Sequence, residues 1–144
     1  MNFTVNAKSD GALRFTVTHA ARGQSFSTDA PAGHGGEGLT FAPTDLVDAA
    51  LLTCTGGTIC AKAQQLGLDM MGMSLRSTHE MADGPRRIVS FDVEIELPTN
   101  ADAGQKKRLI AAAKACPVRN TIRPDTRITL TFLWPDGSTD VVEK

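Results

Sequence analysis

The chain has 144 residues, 41% of them hydrophobic, the size of one compact domain, residues 1–144, able to bury its own core. Lys and Arg number 15 against 16 Asp and Glu, and no basic run is interleaved with aromatics, so nothing here would hold a polyanion and no nucleic-acid partner is expected. The stretch from Met1 to Lys8 lacks the basic start and apolar run of a secretion signal, and no apolar run approaches bilayer-spanning length; the cytoplasm is the expected location, with no membrane partner.

Leu13 to Thr18 alternates apolar with polar residues, the period of a half-buried strand, and Asp10-Gly11 before it is a hairpin turn signal. A strand pair is expected, continued by Ser25 to Thr28. Asp29 to Gly38 is too rich in Gly for regular structure and reads as a loop. A long helix follows from about Thr44 to Leu66, started by Pro43 and ended by Gly67. Its first half is apolar nearly all round (Leu46, Val47, Ala49, Ala50, Leu51, Leu52), the mark of a helix buried in a core or between subunits. Gly56 and Gly57 at its middle each cost about 1 kcal/mol relative to Ala and imply close approach of another backbone.

Met71 to Met81 and Arg87 to Leu97 alternate like an antiparallel strand pair turned at Asp83-Gly84-Pro85. Residues 101–115 return to helix, capped by Asn100 or Thr99, and Pro117 interrupts it, with a short helical turn running on to Ile122. Thr126 to Leu133 is a last strand. The order favours α+β over a doubly wound sheet. Met70, Met71, Met73 and Met81 read as fillers of core or interface gaps, although Met70, Met71 and Met73 with Phe41 would also suit a pocket for an alkyl or aryl chain.

Three cysteines without a secretion signal are expected to be reduced thiols. Cys54 and Cys60 lie six residues apart on one helix, about 9 Å along its axis, too far for a disulfide without breaking the helix. Cys116 precedes Pro117, which favours the first position of a helical turn, so Cys116 falls at or near an N-cap where a thiolate is favoured; Arg119 would add to that if it turned inward. From spacing alone, a cysteine on an apolar helix face is more often a small buried hydrophobe than a nucleophile, which applies to Cys54 and still more to Cys60. His19, His34 and His79 show no ligand spacing with any cysteine, so the case for a metal is weak, and solvated or turn positions explain them more simply.

Two segments resemble a known family. Ala42-Pro43-Thr44-Asp45-Leu46-Val47-Asp48-Ala49-Ala50-Leu51-Leu52-Thr53-Cys54-Thr55 is similar to the buried-helix motif of OsmC/Ohr-like proteins, and Cys116-Pro117-Val118-Arg119-Asn120-Thr121-Ile122 to their Cys-Pro-Val-Ser-x-x-Leu motif. The resemblance implies an α+β OsmC-like fold, antiparallel sheets wrapped around a long central buried helix in an intertwined homodimer. It also implies reduction of organic hydroperoxides without metal or bound cofactor, with Cys54 the peroxidatic thiolate, Cys116 the resolving cysteine and an external dithiol as reductant. Peroxidases of the family carry a Glu directly after the motif's Pro, paired with an Arg from the N-terminal half. Here Thr44 stands at the Glu position with Asp45 beside it, and the Arg falls to Arg22, preferred, or Arg14. These departures leave open a non-catalytic OsmC-like module serving stress response or small-molecule binding.

Overall fold

The computed structural model describes residues 2–144, which form two sheets and three α-helices in two compact units, Met1–Val47 and Asp48–Lys144. In the first unit, β1 (Val5–Gly11), β2 (Arg14–His19) and β3 (Ser25–Thr28) make an antiparallel sheet in chain order. The Asp10-Gly11 signal is borne out: Gly11 at φ 98° and Ala12 at φ 49° turn the chain between β1 and β2. The Gly-rich segment after β3 is a loop with a short 3₁₀ turn at Ala32–His34, and it is pinned. Asp29, only 2% exposed, accepts the backbone N–H groups of Glu37 at 3.2 Å and Leu39 at 3.1 Å. Arg14 pairs with that carboxylate at 3.7 Å and also with Glu37. Gly36 packs so closely on Ala30 that a Cβ there would lie 1.9 Å from the Ala30 carbonyl oxygen.

Helix α1 (Pro43–Gln65) matches the expected helix to within a residue at each end. Its buried residues, Leu51, Thr55, Gly56, Ile59 and Ala63, form a stripe of three- and four-residue steps, the spacing of one helix face. Ala50, Thr53, Gly57 and Ala61 stay exposed, so within one chain α1 is buried along a face rather than all round. By length and composition α1 is also apolar enough to cross a membrane, which corrects the expectation that no segment is. Leu51, Ile59 and Ala63, wholly buried in the second unit, show it used there as a core helix.

In the second unit the sheet runs β4 (Ser74–Ala82), β5 (Arg87–Glu96), β6 (Arg127–Leu133) and β7 (Thr139–Glu143). Its inner face is made by two alternating rows in register, Phe91, Val93 and Ile95 beside Ile128, Leu130 and Phe132, each no more than 1% exposed. β5 and β6 run parallel, a correction to the wholly antiparallel sheets expected. The cause is the connection: α2 (Ala103–Lys114) and α3 (Pro117–Thr121) carry the chain back across the unit before β6 begins, as a parallel pair requires. β7, absent from the sequence reading, follows a turn in which Gly137 takes φ 81°, and pairs antiparallel with β6. The cap of α2 is Asp102, not Asn100 or Thr99: its carboxylate accepts the Gln105 N–H while the Gln105 side chain accepts the Asp102 N–H.

Gly56 illustrates how tightly α1 lies on this unit, since a Cβ there would come 3.2 Å from Leu75 Cδ1 and 3.5 Å from Met73 Cε. Gly56→Val should lower unfolding stability by roughly 1–3 kcal/mol through overpacking, read from urea denaturation midpoints at unchanged slope.

Candidate active site

Two helices bring the distant cysteines together. The last turn of α2 closes with the Ala115 N–H on Ala111 and Ala112 carbonyls, and Pro117, which has no N–H to continue it, occupies the first turn of α3 where that donor would go unused. Cys116 therefore becomes the N-cap of α3, as expected from the sequence, with φ -53° and ψ 121°. The next free N–H groups, on Val118 and Arg119, point back at sulfur. Arg119 N–H donates to Cys116 Sγ at 3.5 Å, and the Val118 N–H lies near enough to favour negative charge on both sulfurs.

Cys54 sits beside Thr55 of the buried α1 stripe, half-buried itself, while Cys116 is wholly buried and Cys60 is exposed. The Cys54 and Cys116 thiols lie close enough to act on each other electrostatically, and neither is in a disulfide. The buried Thr55 hydroxyl bears on the Cys116 sulfur and makes no stricter hydrogen bond. Cys60 belongs to no pair, consistent with helix spacing.

One proton is easier to remove from this pair than the second. For Cys116, burial raises the thiol, but the Arg119 N–H, the Thr55 hydroxyl, the Cys54 thiol and the Val118 N–H together bring it below its ordinary value. For Cys54, the Val118 N–H lowers the thiol, but burial and the hydrogen bond and charge of Cys116 outweigh it, and the group is raised. Of the two, Cys116 is the thiol favoured to ionise first, and Cys54 faces the resulting charge. Arg119, 6% exposed, lies on the same turn; burial pulls its guanidinium down and the Cys116 charge pushes it up.

The other residues singled out from sequence have separate tasks. Asp45, in the first turn of α1, accepts the Ala42 N–H at 2.8 Å. Arg22 is exposed in the turn after β2, its N–H on the His19 carbonyl at 3.2 Å, and Arg14 is committed to Asp29 and Glu37. Of the methionines, Met70 is buried and Met71 is 84% exposed. A hollow of about 250 Å³ lies elsewhere in the second unit, between Gly72, Leu97, Pro98, Trp134 and Pro135, and does not include the thiols.

Sequence reasoning missed a polar cluster. Asp48 of α1 accepts the Ser77 hydroxyl at 2.5 Å and lies 2.5 Å from His79 Nδ1, so His79 is a half-buried, paired residue of β4 and not the solvated one expected. The signal was present: Ser77 and His79 are two apart on a strand, hence on one face, and Asp48 is an acid within an apolar helix.

The family model of the OsmC-like protein matches residues 34–131, across the boundary between the two units. A Psychrobacter arcticus protein described as osmotic-stress-induced and of the detoxification response is similar at 30% identity and TM-score 0.83, over 91% of this chain and 94% of that one. The OsmC-like protein of Mycoplasma pneumoniae shares the fold at TM-score 0.77 and 18% identity, over 93% of this chain and 97% of that one. So does the organic hydroperoxide resistance protein OsmC of Legionella pneumophila, at TM-score 0.74 and 19% identity, over 92% and 96%. No curated protein matches the sequence.

The pair should titrate in two separated steps. In a Cys60→Ser protein, ultraviolet absorbance of the thiolate is expected to show one sulfur ionising below the ordinary thiol range and the other above it. The lowered Cys116 adds stability above the unfolded thiol value, lost as pH falls through its folded value; the raised Cys54 adds stability at low pH, lost as pH rises through its own. Unfolding stability against pH should therefore crest between the two steps.

Proposed function

Because the chain belongs to the OsmC-like protein family, we infer that it is a thiol peroxidase that reduces small organic hydroperoxides, with Cys54 peroxidatic and Cys116 resolving. The observation that carries this reading is the closeness of two thiols from separate helices, at a site where the Arg119 N–H donates to the Cys116 sulfur at 3.5 Å. Such a donor stabilises negative charge on Cys116, the sulfur that attacks in the resolving step.

The chemistry runs in two displacements. The Cys54 sulfur attacks the distal peroxide oxygen, an S–O bond forms, the O–O bond breaks and the alkoxide leaves as alcohol after protonation, with Cys54 oxidised to a sulfenic acid. Cys116 then attacks the Cys54 sulfur, the S–S bond forms and hydroxide leaves as water. An external dithiol takes the disulfide back to two thiols by exchange. The setting is the cytoplasm, and no metal or cofactor takes part. By resemblance, Arg22 and Asp45 would supply the guanidinium and carboxylate that family peroxidases hold near the first thiolate.

The working unit in this reading is a homodimer. Gly57 supports it: in one chain a Cβ at Gly57 would meet nothing within 4 Å, yet Gly there weakens the helix. A second copy closing on the exposed face of Ala50, Thr53, Gly57 and Ala61 would give that Gly its reason. Gly57→Leu should then convert dimer to monomer in analytical ultracentrifugation.

A second reading, a non-catalytic stress-response or small-molecule-binding module, draws on the Cys54 thiol being raised above its ordinary value and on Thr44 standing where the family carries Glu. Turnover of an alkyl hydroperoxide with a dithiol reductant separates the two. Cys54→Ser is expected to lower turnover by more than about a hundredfold, and Cys116→Ser to leave a sulfenic acid on Cys54 that dimedone traps. Activity that survives Cys54→Ser would rule the peroxidase out.

A further inference from the structure

Arg119 brings to the thiol pair a charge that the two displacements above do not use. The side chain is 6% exposed, its Nη1 reaches the Lys114 carbonyl only at 3.4 Å, and its Nε is buried with no hydrogen-bond partner. Among the described residues no carboxylate forms a salt bridge with it; the charge that acts on it is that of Cys116. A guanidinium taken out of water without a counter-anion is strongly disfavoured, so burial of Arg119 beside Cys116 makes sense when that sulfur is an anion. The groups around Cys116 agree: the Arg119 N–H donates to its sulfur at 3.5 Å, and the Val118 N–H, the Thr55 hydroxyl and the Cys54 thiol near it all favour negative charge there. Lys144, from the end of the chain, places its ammonium on the Arg119 and Ile122 carbonyls at 2.6 and 2.9 Å, adding a second cation to the same short helix.

We propose that Arg119 is the counter-cation of a resting Cys116 thiolate, and that this thiolate is the base that takes the Cys54 proton as Cys54 attacks the peroxide. The proposal rests on the reading of Cys54 and Cys116 as the redox pair and assigns its activation. The proton passes from the Cys54 sulfur to the neighbouring Cys116 sulfur. The Cys54 thiolate attacks the distal oxygen, the O–O bond breaks, and the departing alkoxide takes the proton from Cys116, leaving alcohol, a Cys54 sulfenic acid and the Cys116 thiolate again. That thiolate, still opposite Arg119, attacks the sulfenic sulfur; hydroxide leaves and takes a proton from solvent to give water. Two thiol sulfurs have been oxidised to a disulfide and the peroxide reduced by two electrons. With Thr44 at the family's Glu position, the guanidinium that favours sulfur anion in this chain comes from inside the second cysteine motif, acting through Cys116 as a positioning residue.

The test uses the full-length protein with Cys60→Ser, and compares Arg119→Met, Arg119→Gln and Arg119→Lys, each checked for native circular dichroism. Thiolate absorbance is followed against pH, alongside the rate of sulfenic acid formation from an alkyl hydroperoxide in single turnover. The first thiolate is expected to disappear with Cys116→Ser and to persist with Cys54→Ser. Its midpoint should rise by about one pH unit or more in Arg119→Met and Arg119→Gln and return most of the way in Arg119→Lys. The acid limb of the single-turnover rate should move with it. A midpoint unchanged in both neutral variants, or a low thiolate that persists in Cys116→Ser, overturns the proposal; a midpoint that moves while the acid limb stays fixed overturns the base role. If the parent forms no sulfenic acid at all, the peroxidase reading fails, while the titration still decides whether Arg119 balances Cys116.

Discussion

Everything at the site depends on one contact, the seating of the start of α3 against the buried stripe of α1. Thr55 is wholly enclosed and Cys54 stands beside it, so whatever covers Thr55 also covers one flank of that thiol. Cys116 lies against it, and the Arg119 N–H of a new helix donates to that sulfur. Pro117 makes this possible by ending α2 and presetting the backbone for α3, which leaves Val118 and Arg119 with N–H groups that no carbonyl of their own helix can satisfy. Sulfur takes their place as acceptor.

The electrostatic consequence is a division of labour between two chemically identical groups. A cysteine surrounded by donors is easier to ionise, and its neighbour, forced to face the resulting charge, is harder to ionise. The pair is therefore expected to lose its two protons in separate steps, Cys116 first. An arrangement of this kind keeps a proton acceptor beside the attacking atom without needing a carboxylate in contact with sulfur.

Much of this architecture could be read from the residues. Alternation gave β2, β5 and β6, the Pro43 and Gly67 boundaries gave α1, and Cys116 before Pro117 gave the N-cap. Three features escaped for physical reasons. β7 is short and mostly polar on its outer side, with the Pro135-Asp136-Gly137 turn as its main announcement. The parallel pairing of β5 with β6 is a matter of where the crossover lands, which strand periodicity does not encode. The Asp102 cap won over Asn100 and Thr99 because its reciprocal bond with Gln105 satisfies two helix-start donors at once. At the site, the two cysteines were legible from their motifs, but the inward turn of Arg119 and the tie from Asp48 to His79 are tertiary facts. Charge patterning marks such residues as surface groups until the fold shows them enclosed.

Mapping the disulfide formed after one equivalent of an alkyl hydroperoxide tests the central claim most directly. Peptide mass spectrometry of the oxidised chain, with free thiols blocked at the moment of quenching, should find Cys54 joined to Cys116 and Cys60 still blocked as a free thiol. Cys54 and Cys116 both recovered as free thiols, or a disulfide through Cys60 in their stead, would contradict it.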